Sequence, residues 1–110
     1  MSQIAKTPTP PYYAVIFTSI RTEAENGEYE AMAARMVELA FAQKGFLGVE
    51  SARNETGITV SYWQDLDSIK AWHAHAEHKI AQQEGRASWY KAFKTRICLV
   101  ERDYEFIRAE

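Results

Sequence analysis

The segment Tyr12–Ile20 reads YYAVIFTSI and is apolar on both faces through most of its length. Its β-branched and aromatic residues predict a β-strand, and both faces of that strand must be covered. A single layer of helices covers only one face of a sheet. Apolar residues left in water on the other face would form a larger patch than monomeric proteins expose. We therefore expect a second copy of the chain to cover this face, in a homodimer.

Helix and strand signals alternate along the rest of the chain. Asn26 is the expected cap of a helix whose apolar residues recur at i, i+3 and i+4, and Lys44-Gly45 is its expected end. Phe46–Arg53 and Ile58–Trp63 are predicted strands on either side of the turn signal Asn54–Gly57. The second of these strands alternates, and the face that we expect to be buried carries Ile58, Val60 and Tyr62.

A second helix is expected to begin at Asp65, which suits an N-cap, and Thr95–Phe106 is a predicted long final strand. At about 100° per residue, an apolar arc on this helix includes His73 and excludes His75. The arc consists of Leu66, Ile69, Trp72, Ala76 and Ile80. Because the apolar pattern then weakens, we expect the helix to break near His75.

The resulting order, β-α-β-β-α-β, predicts an α+β ferredoxin-like fold with an antiparallel sheet and two helices on one face. A chain of 110 residues suits one domain. We expect this domain to span residues 12–110, after a flexible N-terminal arm formed by residues 1–11. The arm contains all three prolines, which favour an extended, solvated chain.

Composition narrows the classes of partner. The net charge is −2, so the basic excess typical of nucleic-acid binding is missing. No window reaches the ~20 apolar residues of a membrane span, and residues 1–11 lack the apolar region of a signal peptide. With a single cysteine, Cys98, the chain forms no internal disulfide, and we expect a cytoplasmic protein.

Residues 72–78 read WHAHAEH and contain all three histidines of the chain. Histidine has an unperturbed pKa between 5 and 8, so it serves as a base, an acid or a metal ligand. The alternative interpretation is that these histidines are solvated or lie at the edge of the core. His75 and His78 have the i, i+3 spacing of some ligand pairs, but no cysteine or carboxylate pattern supplies a third ligand. No metal site is predicted.

A family likeness extends over roughly residues 12–106. It rests on GFLGVE at 45–50, SYW at 61–63, Trp72, His75, His78 and Trp89-Tyr90. Together these segments resemble the antibiotic biosynthesis monooxygenase (ABM) family. The resemblance implies a dimeric α/β barrel, in which two sheets, one from each subunit, pack together with the helices outside. It also implies a pocket in each subunit between sheet and helices.

One branch of the family that the chain resembles degrades haem. That branch uses an asparagine on the first strand, a tryptophan on the second helix and a histidine ten residues after it. Trp72 matches the tryptophan, but the tenth residue after it is Gln82, and the first strand offers Thr18 and Ser19 in place of asparagine. Haem degradation is therefore disfavoured, and no cofactor is expected.

The cofactor-free branch oxidises polyketide quinols and implies an aromatic pocket beside a base or hydrogen-bond donor. His75 is the candidate catalytic residue, and Trp72 and Trp63 are candidate walls of a pocket for a small aromatic or quinol-like substrate. Ser19 and Arg21, at the end of the first strand, are candidates for contact with an anionic substrate. The alternative function is a non-catalytic small-molecule-binding or stress-related dimer that keeps only the pocket.

Overall fold

The computed structural model describes residues 3–23, 28–82 and 89–109. The chain forms, in order, β1 (Tyr12–Arg21), α1 (Glu28–Phe41), β2 (Phe46–Arg53), β3 (Gly57–Trp63), α2 (Leu66–Gln82) and β4 (Tyr90–Val100). The predicted order β-α-β-β-α-β is confirmed. The expected cap Asn26 lies outside the described residues.

One antiparallel sheet holds all four strands in the spatial order β2-β3-β1-β4. This is the ferredoxin-like arrangement that the sequence predicted. The turn between β2 and β3 also forms where expected, closed by a hydrogen bond from the Asn54 backbone N–H to the Thr56 carbonyl oxygen (3.2 Å). β1 lies between β3 and β4, so the strand with two apolar faces is an inner strand of the sheet.

The last strand differs from its prediction at both ends. β4 begins at Tyr90 and ends at Val100, whereas Thr95–Phe106 was expected. The reason is the length of its partner. Val100 pairs with Tyr12, the first residue of β1, so no strand remains beyond it to accept further backbone hydrogen bonds. Residues 101–109 have no regular structure and are exposed.

The first helix also ends earlier than predicted, at Phe41. Gly45 still has the expected left-handed conformation, with φ of 87°. Its carbonyl oxygen accepts a hydrogen bond from the Gln64 backbone N–H at 2.7 Å, and a Cβ atom added to it would lie 2.1 Å from the Ser68 hydroxyl oxygen. Glycine is therefore needed here for both backbone conformation and close approach of α2.

Residues opposite each other in antiparallel strands share a face, so the register assigns every strand residue to one side of the sheet. We call the side of Trp63 the helical face, because Trp63 stacks on Trp72 of α2, and the other side the outer face. The burial prediction for β3 was therefore wrong. The helices cover the side of Trp63, while Ile58 on the outer face is 44% exposed.

The N-terminal arm lies against the outer face. The Ala5 backbone N–H donates a hydrogen bond to Glu50 Oε2 at 2.8 Å, and Ala5 contacts the position where a Cβ atom of Gly48 would stand. The Thr7 hydroxyl donates to the Tyr12 hydroxyl at 2.9 Å, which in turn donates to Asp103 in the C-terminal segment. Both ends of the chain therefore contact the same end of the outer face.

Apolar side chains remain uncovered on both faces. Ile20 and Ile58 are exposed on the outer face, and Ile97 and Leu99, which the register assigns to the helical face, are exposed on the edge strand β4. The C-terminal segment exposes three more large side chains, Tyr104, Phe106 and Ile107. Within the described residues, neither helix is long and apolar enough to cross a membrane.

Candidate functional site

Two aromatic residues and a histidine form a stack between α2 and the sheet. The rings of Trp72 and Trp63 are stacked, with 5.9 Å between centroids and 28° between planes, and the His75 ring lies 5.7 Å from the Trp72 ring at 31° to it. Residues three apart on a helix are neighbours on its surface, which explains the Trp72–His75 contact. We call these three residues the tryptophan–histidine stack.

The expected break of α2 near His75 is absent, because the helix runs regularly from Leu66 to Gln82. The assignment of the two central histidines was also wrong. His73 is exposed and His75 is half-buried. The buried side of the helix is centred on Trp72, about 60° away from the arc that hydropathy alone suggested. Leu66 contributed to that arc, but it is 51% exposed.

His75 carries an unusual polar atom. Its Nε2 is buried and has no hydrogen-bond partner. A buried polar group without a partner loses its water without compensation, at a cost of about 1–3 kcal/mol. Such a group either needs a structural explanation or is available to a ligand.

Trp63 supports the stack from below. It is 0% exposed, and its indole N–H donates a hydrogen bond to the Ser61 hydroxyl at 2.9 Å. Phe46 packs edge-on against it, with 5.2 Å between ring centroids. With its one polar atom already bonded, Trp63 holds Trp72 in place, and Trp72 is the residue of the pair that is partly exposed.

A second group of polar and aromatic side chains occupies the other end of the helical face. We call it the arginine–tyrosine cluster, and it consists of Ser19, Arg21, Tyr29, Arg53 and Tyr90. The Arg21 guanidinium carbon lies 3.8 Å from the centre of the Tyr29 ring. The Arg53 guanidinium lies 5.7 Å from the same ring and donates a 2.5 Å hydrogen bond to the Ser19 hydroxyl. Two cations therefore adjoin one aromatic ring.

Gly57 makes the contact between Arg53 and Ser19 possible. In the sheet register, Gly57 stands opposite Ser19 on one side and opposite Arg53 on the other. A Cβ atom at Gly57 would lie 2.1 Å from Arg53 Nη2. Because glycine has no side chain, the guanidinium crosses the middle strand and reaches Ser19, which is 2% exposed.

Tyr90 of the cluster stays protonated. Burial raises the pKa of Tyr90, and the hydrogen bond of Tyr90 with Tyr29 raises it further. The Tyr90 hydroxyl donates to the Tyr29 hydroxyl at 3.4 Å, and Arg53 Nη2 approaches the Tyr29 oxygen at 3.5 Å. The cluster therefore presents the protonated Tyr90 hydroxyl beside the guanidinium groups.

Comparisons with known proteins agree on one family. The sequence profile of the family described as antibiotic biosynthesis monooxygenase matches residues 11–84. The chain belongs to the ABM family. A Bacillus subtilis (strain 168) relative, the uncharacterized protein YqjZ, is 49% identical over 108 residues, which cover 96% of this chain and 94% of that protein.

Solved structures share the fold at low identity. SnoaB from Streptomyces nogalater, described as a cofactor-independent oxygenase, is 14% identical with a TM-score of 0.64, covering 90% of this chain and 100% of that one. Protein SO0527 from Shewanella oneidensis is 11% identical with a TM-score of 0.71, covering 84% of this chain and 94% of that one. These likenesses confirm the ferredoxin-like architecture of this ABM protein.

The site residues predicted from the sequence fall into two places. Trp63, Trp72 and His75 come together, and Ser19 and Arg21 come together. Trp63 and Gly57 are the two ends of β3, so the two groups lie roughly 20 Å apart along the sheet. The side chain of His78 lies outside the described residues. Among the residues that are described, no three His, Cys, Asp or Glu side chains form a group that could hold a metal ion.

Three members of the arginine–tyrosine cluster were missed in the sequence: Tyr29, Arg53 and Tyr90. Tyr29 was interpreted only as part of the apolar stripe of α1. A signal for Arg53 was present, since the three-residue loop Asn54–Thr56 makes Arg53 and Gly57 cross-strand partners. That signal shows where Arg53 stands, but only the pairing of β3 with β1 places Ser19 beside it.

Proposed function

We propose that this ABM protein is a cofactor-independent monooxygenase that oxidises a small aromatic or quinol-like substrate beside His75. The observation that carries the proposal is the buried His75 Nε2 without a hydrogen-bond partner, held against the Trp72 ring. A substrate hydroxyl would provide the missing partner. The partly exposed Trp72 ring would provide apolar contact for an aromatic substrate.

The proposed oxidation requires only a base from the protein. A neutral imidazole accepts the proton of the substrate hydroxyl and leaves an electron-rich anion. This anion reacts with dioxygen, so that one oxygen atom enters the product and the other leaves as water, with all electrons supplied by the substrate. General-base catalysis of this kind typically contributes 10²–10⁴-fold to the rate.

Family membership and one neighbour support the proposal. The matched family is described as a monooxygenase family, and the structural neighbour SnoaB is described as a cofactor-independent oxygenase. The neighbour shares only 14% of its sequence with this chain, so its description supports a class of reaction and leaves the substrate open.

The test is oxygen consumption with a panel of naphthols and hydroquinones, corrected for the rate without protein. We expect His75→Ala to lower turnover about 10²–10⁴-fold. His73→Ala is the matched control, because His73 belongs to the same helix and is exposed. Equal turnover in wild type and His75→Ala would remove the catalytic role and leave the alternative of a ligand-binding dimer.

We also propose that the protein is a homodimer. Ile20 and Ile58 on the outer face are exposed in the single chain, and so are Tyr104, Phe106 and Ile107 of the C-terminal segment. A stable interface over these residues would bury about 1,600 Å² or more and be apolar at its centre. Analytical ultracentrifugation at micromolar concentration should show a dimer, and a stable monomer would contradict the proposal.

A further inference from the structure

The arginine–tyrosine cluster carries more positive charge than its surroundings balance. Arg21 Nη1 forms an ion pair with Glu30 at 3.2 Å, while Arg21 Nε is buried without a hydrogen-bond partner. The hydrogen bonds of Arg53 are to the neutral hydroxyls of Ser19 and Tyr29. Within the described part of the chain, no carboxylate lies within ion-pair distance of Arg53.

The position of Arg53 beside buried residues strengthens the electrostatic effect of its charge. Ser19 is 2% exposed, so the inner end of the Arg53 guanidinium lies beside a dry part of the sheet. Electrostatic interactions are stronger where water is excluded. Arg53 as a whole is nevertheless exposed, so a ligand can reach its guanidinium from solvent. An anion placed there would also be close to the positive charge of Arg21, across the Tyr29 ring.

Aromatic side chains continue from the cluster along the helical face. Phe93 and Tyr90 both pack on Phe17, and Phe93 is 41% exposed. In the sheet register Phe93 stands opposite Ser19, so its ring lies on the same face as the cluster. An aromatic ligand held at Arg53 would therefore find an exposed apolar ring on that face.

We propose that the arginine–tyrosine cluster is a binding site for the carboxylate of a small aromatic acid. The Arg53 guanidinium pairs with the carboxylate, since its planar fork matches the two oxygens. Ser19 and Tyr29 orient that fork, and Arg21 adds a second positive charge. The apolar body of the ligand lies against the exposed Phe93 ring, which stands opposite Ser19 on the same face of the sheet.

This site is separate from the proposed oxidation at His75. The two groups stand at opposite ends of the helical face, and carboxylate binding requires neither dioxygen nor a base. Binding measured without turnover therefore tests the site by itself, and its outcome is distinguishable from the outcome of the His75 experiment.

The experiment is isothermal titration calorimetry of the full chain with 2-naphthoate, compared with 2-naphthamide, which has the same rings and no charge. We expect saturable binding of naphthoate and at least about 10-fold weaker binding of the amide. Arg53→Gln should weaken naphthoate binding about 10- to 100-fold, because charge-assisted hydrogen bonds are lost. Arg53→Lys keeps the charge without the planar fork. It should bind naphthoate with an affinity between those of the unmodified chain and Arg53→Gln.

The matched control is Arg35→Gln. Arg35 is an exposed arginine on α1 that pairs with the exposed Glu38, away from the cluster. It should leave naphthoate affinity unchanged. Equal affinity for the acid and the amide, or equal losses in Arg53→Gln and Arg35→Gln, would overturn the proposal, as would no saturable binding of naphthoate at millimolar concentration. The acid–amide comparison uses the unmodified chain, so it holds even if a variant folds poorly.

Discussion

The two ends of the helical face lie on the same strands, but different kinds of interaction hold their side chains in place. At the Trp63 end, neutral aromatic rings stack against α2, and one imidazole nitrogen is left without a partner. At the Ser19 end, two guanidiniums adjoin one tyrosine, and hydroxyls surround them. The first end depends on apolar area, which many residues share. The second depends on individual hydrogen-bond and cation–π partners, so one misplaced atom is enough to disrupt the cluster.

The largest difference between the ends should appear in folding stability. Trp63→Ala removes a completely buried indole and leaves a cavity under Trp72, so we expect a loss of about 3–5 kcal/mol in the free energy of unfolding. Arg53→Gln at the other end should change it by about 0.5 kcal/mol or less, because Arg53 is exposed. Urea denaturation at one fixed protein concentration measures both. Similar losses would show that both ends are structural.

A second variant separates stability from chemistry at the Trp63 end. His75→Phe keeps a ring beside Trp72 and removes the buried nitrogen that lacks a partner. We expect the free energy of unfolding to rise by about 1 kcal/mol, since an uncompensated polar atom is gone. Turnover should fall about 10²–10⁴-fold in the same protein. A protein that is both less stable and fully active would contradict both expectations.

The first three strands and the turn between β2 and β3 could be predicted because they depend on local patterns. Phe46–Arg53 forms as predicted, since the turn signal that follows it marks its end. The rotation of α2 could not, because hydropathy weighted Leu66 equally with Trp72, although Leu66 belongs to the first turn and stays exposed. His73 and His75 exchanged their expected surroundings as a result.

The arginine–tyrosine cluster could be predicted only in part. Ser19 and Arg21 were candidates because they end the first strand. Arg53 is 34 residues from Ser19 in the sequence, and their contact depends on two strand registers at once. A shift of one residue in either register would turn a side chain to the other face. No local pattern contains that information.

Gly57→Ala tests this dependence directly. The new Cβ atom would collide with the Arg53 guanidinium and push it away from Ser19. Because the displaced group is the end of a flexible side chain, we expect the free energy of unfolding to change by about 1 kcal/mol or less. Naphthoate affinity should fall about 10-fold. Gly48→Ala, a glycine substitution on the outer face, should leave the affinity unchanged in the same calorimetric assay.

Removal of residues 1–10 should have the smallest effect of these changes. The arm contributes the hydrogen bond from Ala5 to Glu50 and the one from Thr7 to Tyr12, and Glu50 keeps its 2.7 Å bond from the Tyr62 hydroxyl without the arm. A typical net hydrogen bond contributes about 0.5–1.5 kcal/mol, and removal of the arm also relieves the entropy cost of ordering it. We therefore expect the fold to persist and Tm to fall by about 2–4 °C in a calorimetric scan. Because the arm lies on the outer face, turnover and naphthoate affinity should both stay at the level of the full chain. A loss of either would mean that the outer face is coupled to the helical face. The difference between the two ends would then be determined by the whole sheet, not by the side chains at each end.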